Sequence, residues 1–153
     1  MSVYFLDSSA LVKRYVTESG TTWIQSLAVS DAHRLIIARI AWVEVLGALA
    51  RRQREDNLSP IAISKAVQAF RYDRDTQYHV LELTPPLADA AGQLVLARPL
   101  RAYDALQLAS ALQVQHSLTQ VGAPPLTFLS ADDRLLAIAQ AEGLVTDNPN
   151  RHP

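Results

Sequence analysis

The chain has 153 residues, 49% of them hydrophobic, a formal net charge of −1 and no cysteine. That length and composition suit one compact domain, residues 1–153, able to bury roughly two thirds of its unfolded surface. They exclude disulfide frameworks, thiolate metal sites and cysteine nucleophiles, and they lack the large basic excess of a dedicated phosphate-tracking surface.

In chain order, residues 3–6 form a short apolar run that ends in Asp7, Ser8 and Ser9, the pattern of a buried strand stopping where a helix is capped. A helix over 10–16 follows, Gly20 breaks the chain, a second helix covers 22–28, and 35–38 reads as another buried strand. The apolar runs at 40–43 and 45–50 belong to the strongest helical segment, 40–54, and fall well short of the about 20 residues of a membrane span. The N-terminal stretch MSVYFLD has neither a basic region nor a long apolar core, so a cytoplasmic protein with no membrane association is expected. Ser59 followed by Pro60 opens a helix to about residue 73. A strand at 78–83, a helix over 87–97 opened by Pro85 and Pro86, and a helix over about 102–118 come next. The turn GAPP at 122–125 leads to a strand at 126–129, and Ser130, Ala131, Asp132 and Asp133 read as a capping box for a helix to residue 142. Gly143 ends that helix before a short strand at 144–145. Short apolar strands without alternation, separated by helices, imply a three-layer α/β/α sandwich around a central parallel sheet.

In such sheets ligands bind beyond the carboxyl ends of the strands. Asp7 and Asp132 sit at that address, where each can equally serve as a helix cap. Glu44 is the sole ionisable residue between Ile40 and Ala50, and Asp104 stands among small and apolar residues near the start of its helix. A buried acid must be paired, protonated or bound to metal. Glu44 paired with Arg51 or Arg39, and Asp104 answering a helix dipole, are the plain alternatives. Two carboxylates about 4 Å apart repel by about 4 kcal/mol at an effective dielectric of 20, so four meeting in one site require a cation. Oxygen ligands without thiolates select Mg²⁺ or Mn²⁺, and phosphodiester hydrolysis is the chemistry such a site performs. The bases, nearly all arginine, cluster at Arg51, Arg52 and Arg54 and again at Arg98 and Arg101, either as solvated helix faces or as phosphate contacts. His33, His79, His116 and His152 have no mutual metal-ligand spacing.

Four segments resemble the PIN domain in order and spacing: YFLDSSALV at 4–12, WVEVL at 42–46, LRAYDALQLASA at 100–111 and FLSADDRLL at 128–136. Each is weak alone, but together they span nearly the whole chain, and its small size is similar to that of VapC-type toxins of toxin–antitoxin pairs. The resemblance implies an acidic Mg²⁺ or Mn²⁺ pocket, endoribonuclease activity on RNA, a homodimer and an antitoxin partner. Position by position it implies that Asp7, Glu44, Asp104 and Asp132 are the metal-binding and catalytic acids. Ser130 would be the accompanying hydroxyl and Ser9 the polar neighbour of the first acid, facing substrate. Asp133 is read as the capping-box acid, and Arg98 and Arg101 as contacts to substrate phosphates. The loop at 119–125 is longer than the usual connection.

Other phosphate chemistries fit less well. A haloacid-dehalogenase-type phosphatase needs an acid two residues after the first, where Ser9 stands, and a response-regulator receiver needs a late lysine, whereas none follows Lys65. Nucleotide-cradling glycine motifs are absent. A PIN-like module that binds RNA or protein without cleaving is the alternative from a different class, and four mutually repelling acids argue against it.

Overall fold

The computed structural model describes residues 1–55 and 58–153. Its sheet has five strands, β1 (Ser2–Leu6), β2 (His33–Ala38), β3 (His79–Leu81), β4 (Thr127–Leu129) and β5 (Val145–Asp147), all parallel and in the order β3-β2-β1-β4-β5. Among the described residues the helices are α1 (Ser8–Leu11), α2 (Thr21–Val29), α3 (Ala41–Arg54), α4 (Pro60–Thr76), α5 (Pro85–Ala97), α6 (Ala102–Gln120) and α7 (Asp133–Ala141).

Alternate residues of the central strands feed two cores, as the two-residue period of a strand requires. Leu6, Leu35, Ile37 and Leu129 pack with α1 to α4, around Leu11, Ile24, Leu49 and Phe70. Phe5, Ile36, Ala38 and Phe128 face the other way, against Leu108 of α6 and Leu135 and Leu136 of α7. Phe5 and Phe128 stack with ring centroids 5.9 Å apart across the β1–β4 pair. The result is the expected α/β/α sandwich. Among the described residues no helix is long and apolar enough to cross a membrane.

Several elements differ from expectation for local reasons. The helix anticipated at 10–16 is instead the short α1, begun at Ser8 by the Asp7 cap and continued as a 3₁₀ turn, Val12–Arg14. Arg14 and Tyr15 are drawn out of a regular helix by a polar knot: Arg14 Nη1 and the Tyr15 hydroxyl each lie 2.8 Å from the Tyr78 hydroxyl, and Tyr15 donates to Asp73 of α4 at 2.8 Å. The same knot fixes Tyr78 outside β3, while Glu82 turns to pair with Arg39, so the strand keeps only three residues. A second 3₁₀ turn, Pro149–Arg151, follows β5 and was not foreseen.

That last turn packs on the start of α2. Trp23 and His152 stack with centroids 3.9 Å apart, and Gly20, at φ +89°, lies directly beneath the Pro149 carbonyl. A Cβ at position 20 would sit 2.8 Å from the carbonyl carbon of Pro149 and closer still to its oxygen. Gly20→Ala therefore faces both left-handed backbone strain and a backbone clash, and should cost on the order of 2 kcal/mol. Denaturant unfolding measures this; an unchanged midpoint would mean that the C-terminal turn does not pack there.

Candidate active site

β1 is the point where the winding of the sheet reverses, since β2 and β3 lie on one side of it and β4 and β5 on the other. The loops leaving β1 and β4 therefore diverge and open a crevice at their carboxyl ends, where open α/β sheets place ligands. A cleft of about 760 Å³ occupies this position. Asp7, Glu44, Asp104 and Asp132, supplied by the end of β1, by α3, by α6 and by the loop after β4, all line it.

Asp7 is the most constrained of them. It is 5% exposed and caps α1 through a 3.1 Å bond from the Ala10 N–H to Oδ1. Ser9 donates to the same oxygen at 2.7 Å, and Ser130 donates to Oδ2 at 2.9 Å. Each serine has one proton and gives it to Asp7, then accepts a backbone N–H: Ser9 from Ala131 at 2.9 Å, Ser130 from Asp132 at 3.0 Å. The two hydroxyls thus stitch the loop after β4 to the loop after β1 through one carboxylate. Ser9 and Ser130 hold the two oxygens of Asp7, and Ser9 also lines the cleft.

Burial pushes the Asp7 carboxyl up to about 6, against the opposing pull of Ser9, Ala10 and Ser130 and with a further push from the charge of Glu44. Glu44 is raised for the same leading reason, burial, offset by hydrogen bonds from Gln107 and Ser8 and reinforced by the charge of Asp104. The acids sense one another along the line Asp7, Glu44, Asp104. Glu44 bonds neither Arg39, which pairs with Glu82, nor Arg51; Gln107 Nε2 donates to it at 2.8 Å and to the Ser8 hydroxyl at 3.0 Å.

Asp104 receives Arg101 Nε at 3.3 Å, and Arg101 is itself largely solvent-exposed. Asp132 is the N-cap of α7, accepting from Arg134 and Leu135 through Oδ1. This corrects the capping-box reading, in which Ser130 was the cap and Asp133 its reciprocal acid. Ser130 Oγ accepts instead from the Asp132 N–H at 3.0 Å, ahead of the helix, and Asp133 lies in the first turn, exposed, with Asn148 Nδ2 at 3.0 Å. Arg98 also lies apart: it pairs with Glu142 at 3.2 Å and does not line the cleft, whereas Arg101 does.

Among the described residues no three acidic or histidine side chains stand close enough, as placed, to share one cation. Each acid has its own partner: serines for Asp7, Gln107 for Glu44, Arg101 for Asp104 and a helix terminus for Asp132. The donor set still fits a hard cation, because it offers four carboxylates and no nitrogen or sulfur ligand in one open cleft. Burial of Asp7 and Glu44 without a matching base is the electrostatic deficit that such an ion would fill.

Gln107 escaped the sequence reading although it is the one strongly polar side chain in the run ALQLAS, 1% exposed, three residues after Asp104. Its Oε1 is buried without a partner. A polar residue on the apolar face of a helix was the available signal; its partners, in α1 and α3, were not visible from the sequence.

The raised Asp7 carboxyl sets a pH dependence. A group whose folded-state pKa exceeds the ordinary carboxylate value of 3.8 favours the folded state fully below that value, and the benefit is lost as pH rises through about 6. Metal-free wild type should therefore lose stability relative to Asp7→Asn between pH 4 and 7, and both should run parallel above it. Melting temperatures of the two proteins, taken in EDTA across this range, check the point; a constant difference would show that burial does not govern Asp7.

The PIN domain family model matches residues 4–141. Ribonuclease VapC45 of Mycobacterium tuberculosis is 33% identical over 143 residues, covering 94% of this chain and 93% of the relative. The crystal structure of M. tuberculosis VapC20, a Sarcin-Ricin loop cleaving toxin, aligns with a TM-score of 0.63 at 19% identity, over 94% of this chain and 97% of that one. VapBC2 from Rickettsia felis, bound to a DNA fragment from its promoter, aligns with a TM-score of 0.62 at 13% identity, over 95% and 98%. With acids from four separate elements gathered in one crevice at the reversal of a parallel sheet, and with a match to nearly its whole length, this chain belongs to the PIN domain family.

Proposed function

We propose that this chain is a divalent-metal-dependent endoribonuclease, the toxin of a toxin–antitoxin pair acting in the cytoplasm, with Asp7, Glu44, Asp104 and Asp132 as its metal-holding acids. The observation that carries the reading is the meeting of those four side chains, far apart in sequence, on the walls of one cleft. The likeness to ribonuclease VapC45 over nearly the full length of both chains supports RNA as the substrate class. The fold shared with VapBC2 supports an antitoxin partner, and a homodimer is part of the same reading.

Bound among these acids, Mg²⁺ or Mn²⁺ would neutralise the scissile phosphate and make the attacking water more acidic. The chain's own residues supply the rest. Ser9 and Ser130 fix both oxygens of Asp7, so that its orientation is set before substrate arrives. Gln107 Nε2 donates to Glu44 Oε1, leaving the other Glu44 oxygen to the cleft or to the Ser8 hydroxyl. Asp132 uses Oδ1 for the α7 cap, and Arg101 can exchange Asp104 for a substrate phosphate because the pair is long and exposed. A single strand or an exposed loop would bring its backbone into such a cleft most readily.

A cation that binds only the folded cluster stabilises it by mass action. Millimolar Mn²⁺ should raise the melting temperature of wild type by several degrees, EDTA should reverse the rise, and Asp7→Asn should show little of it. No shift in wild type would mean that the acids are satisfied by their present partners.

Cleavage is tested with a mixed RNA pool. Wild type should cut it with Mg²⁺ or Mn²⁺ and stop in EDTA, while Asp7→Asn should lose at least about a hundredfold in rate, the scale of removing a principal electrostatic element of a site. Equal cutting by both proteins, or RNA bound but left intact by wild type, would replace this mechanism with that of a non-catalytic module.

A further inference from the structure

The cleft has a part of its lining that the four acids do not explain. Besides them its wall carries Lys13, Arg51 and Arg52 with Glu18 and Glu55, an excess of one positive charge in that set. Lys13 is the unusual member. It is only 4% exposed, lies in the 3₁₀ turn four residues after Ser9, and lines the same cavity as Asp7.

A buried ammonium needs a close anion, and it has three protons to place. Among the described residues Lys13 has one acceptor, Glu18 Oε2 at 3.4 Å, a long contact. Glu18 is committed elsewhere, since its Oε1 receives Arg52 Nη2 at 2.6 Å. None of the four site acids lies within ion-pair distance of Lys13, so it is not their counter-charge. Among the described residues, then, Lys13 is a buried cation on the cleft wall with its hydrogen-bonding capacity largely unused.

The cleft shares Arg101, Asp104 and Asp132 with a second groove of about 200 Å³ that also presents Arg134. The acids thus share their surroundings with Lys13, Arg51 and Arg52 in the cleft and with Arg101 and Arg134 in the adjoining groove. We propose that Lys13, with Arg52 and the exposed Arg51, forms a subsite for the phosphodiester next to the scissile one, so that an RNA strand crosses the acid centre from α3 toward α6. The inference rests on the ribonuclease reading for its substrate class. Glu18 would then hold Arg52 and Lys13 side by side, a positioning role that keeps two cations on one phosphate.

The test is fluorescence anisotropy with a labelled 12-nucleotide single-stranded RNA of random sequence. All proteins carry Asp7→Asn so that the RNA stays intact, and salt is varied. Adding Lys13→Gln should raise Kd about tenfold, the scale of one charged hydrogen bond. It should also flatten the slope of log K against log salt by about 0.7, the loss of one phosphate contact on a single strand. Arg51→Gln, on the solvent side of α3 and without risk to folding, should flatten the slope likewise, and Arg74→Gln, paired with Asp75 on α4, should not. Slopes unchanged by both Lys13→Gln and Arg51→Gln, or no RNA binding in the parent protein, would overturn the subsite. A Lys13-dependent slope in a protein whose wild type cuts no RNA would uphold the subsite and reject the nuclease reading, whereas normal cutting with unaltered slopes would do the reverse.

Discussion

A buried carboxylate at the end of the central strand organises this molecule. Asp7 terminates β1, caps α1, and takes the hydroxyl protons of Ser9 and Ser130, so that the two loops on either side of the sheet's reversal are held by one side chain. Such an arrangement is costly, because burial disfavours the charge and Glu44 repels it. Three hydrogen bonds lower that cost without removing it, and the residue is left able to gain from a nearby cation. The architecture around Asp7 accords with this need: the crevice is open, the other acids line it from α3, α6 and the loop after β4, and the one base paired with any of the four, Arg101, is itself largely exposed.

The partners taken by the individual acids are part of the same physics. With like charges on all four, each side chain takes whatever weaker partner lies nearby, whether an amide, a helix terminus or an exposed guanidinium. These partners are of the kind that yields to a divalent ion, since an exposed ion pair contributes little and a single hydrogen bond about 1 kcal/mol. Only Asp7 is fixed in advance on both oxygens. The cluster is preorganised at its centre and adjustable at its margins.

Much of this was legible in the sequence, for reasons that can be named. β1 and β4 are unbroken apolar runs followed at once by polar caps, so both the strands and the acids at their ends could be placed. Glu44 and Asp104 stood out as charges within otherwise apolar or small-residue helical segments. What was not legible depends on contacts distant in sequence. Ser130 and Asp133 have the spacing of a capping box, but Ser130 is held by Asp7, more than a hundred residues earlier, and accepts from the Asp132 N–H, so that Asp132 is the residue that caps α7. Gln107 acquires its meaning from Ser8 and Glu44, and Lys13 from Arg52 through Glu18, on three different elements. Tyr78 reads as strand by its apolar bulk, yet its hydroxyl belongs to a knot with Arg14 and Tyr15 that only the fold assembles.

The claim on which the account stands is that one cation draws these acids together, and anomalous diffraction from crystals grown with Mn²⁺ tests it without reference to any substrate. The account predicts a manganese peak inside the cleft, about 2.0–2.3 Å from oxygens of Asp7 and at least one of Glu44, Asp104 and Asp132, with those side chains moved inward from their present partners. Crystals saturated with Mn²⁺ that show no peak in the cleft, or ions only at unrelated surface carboxylates, would contradict it.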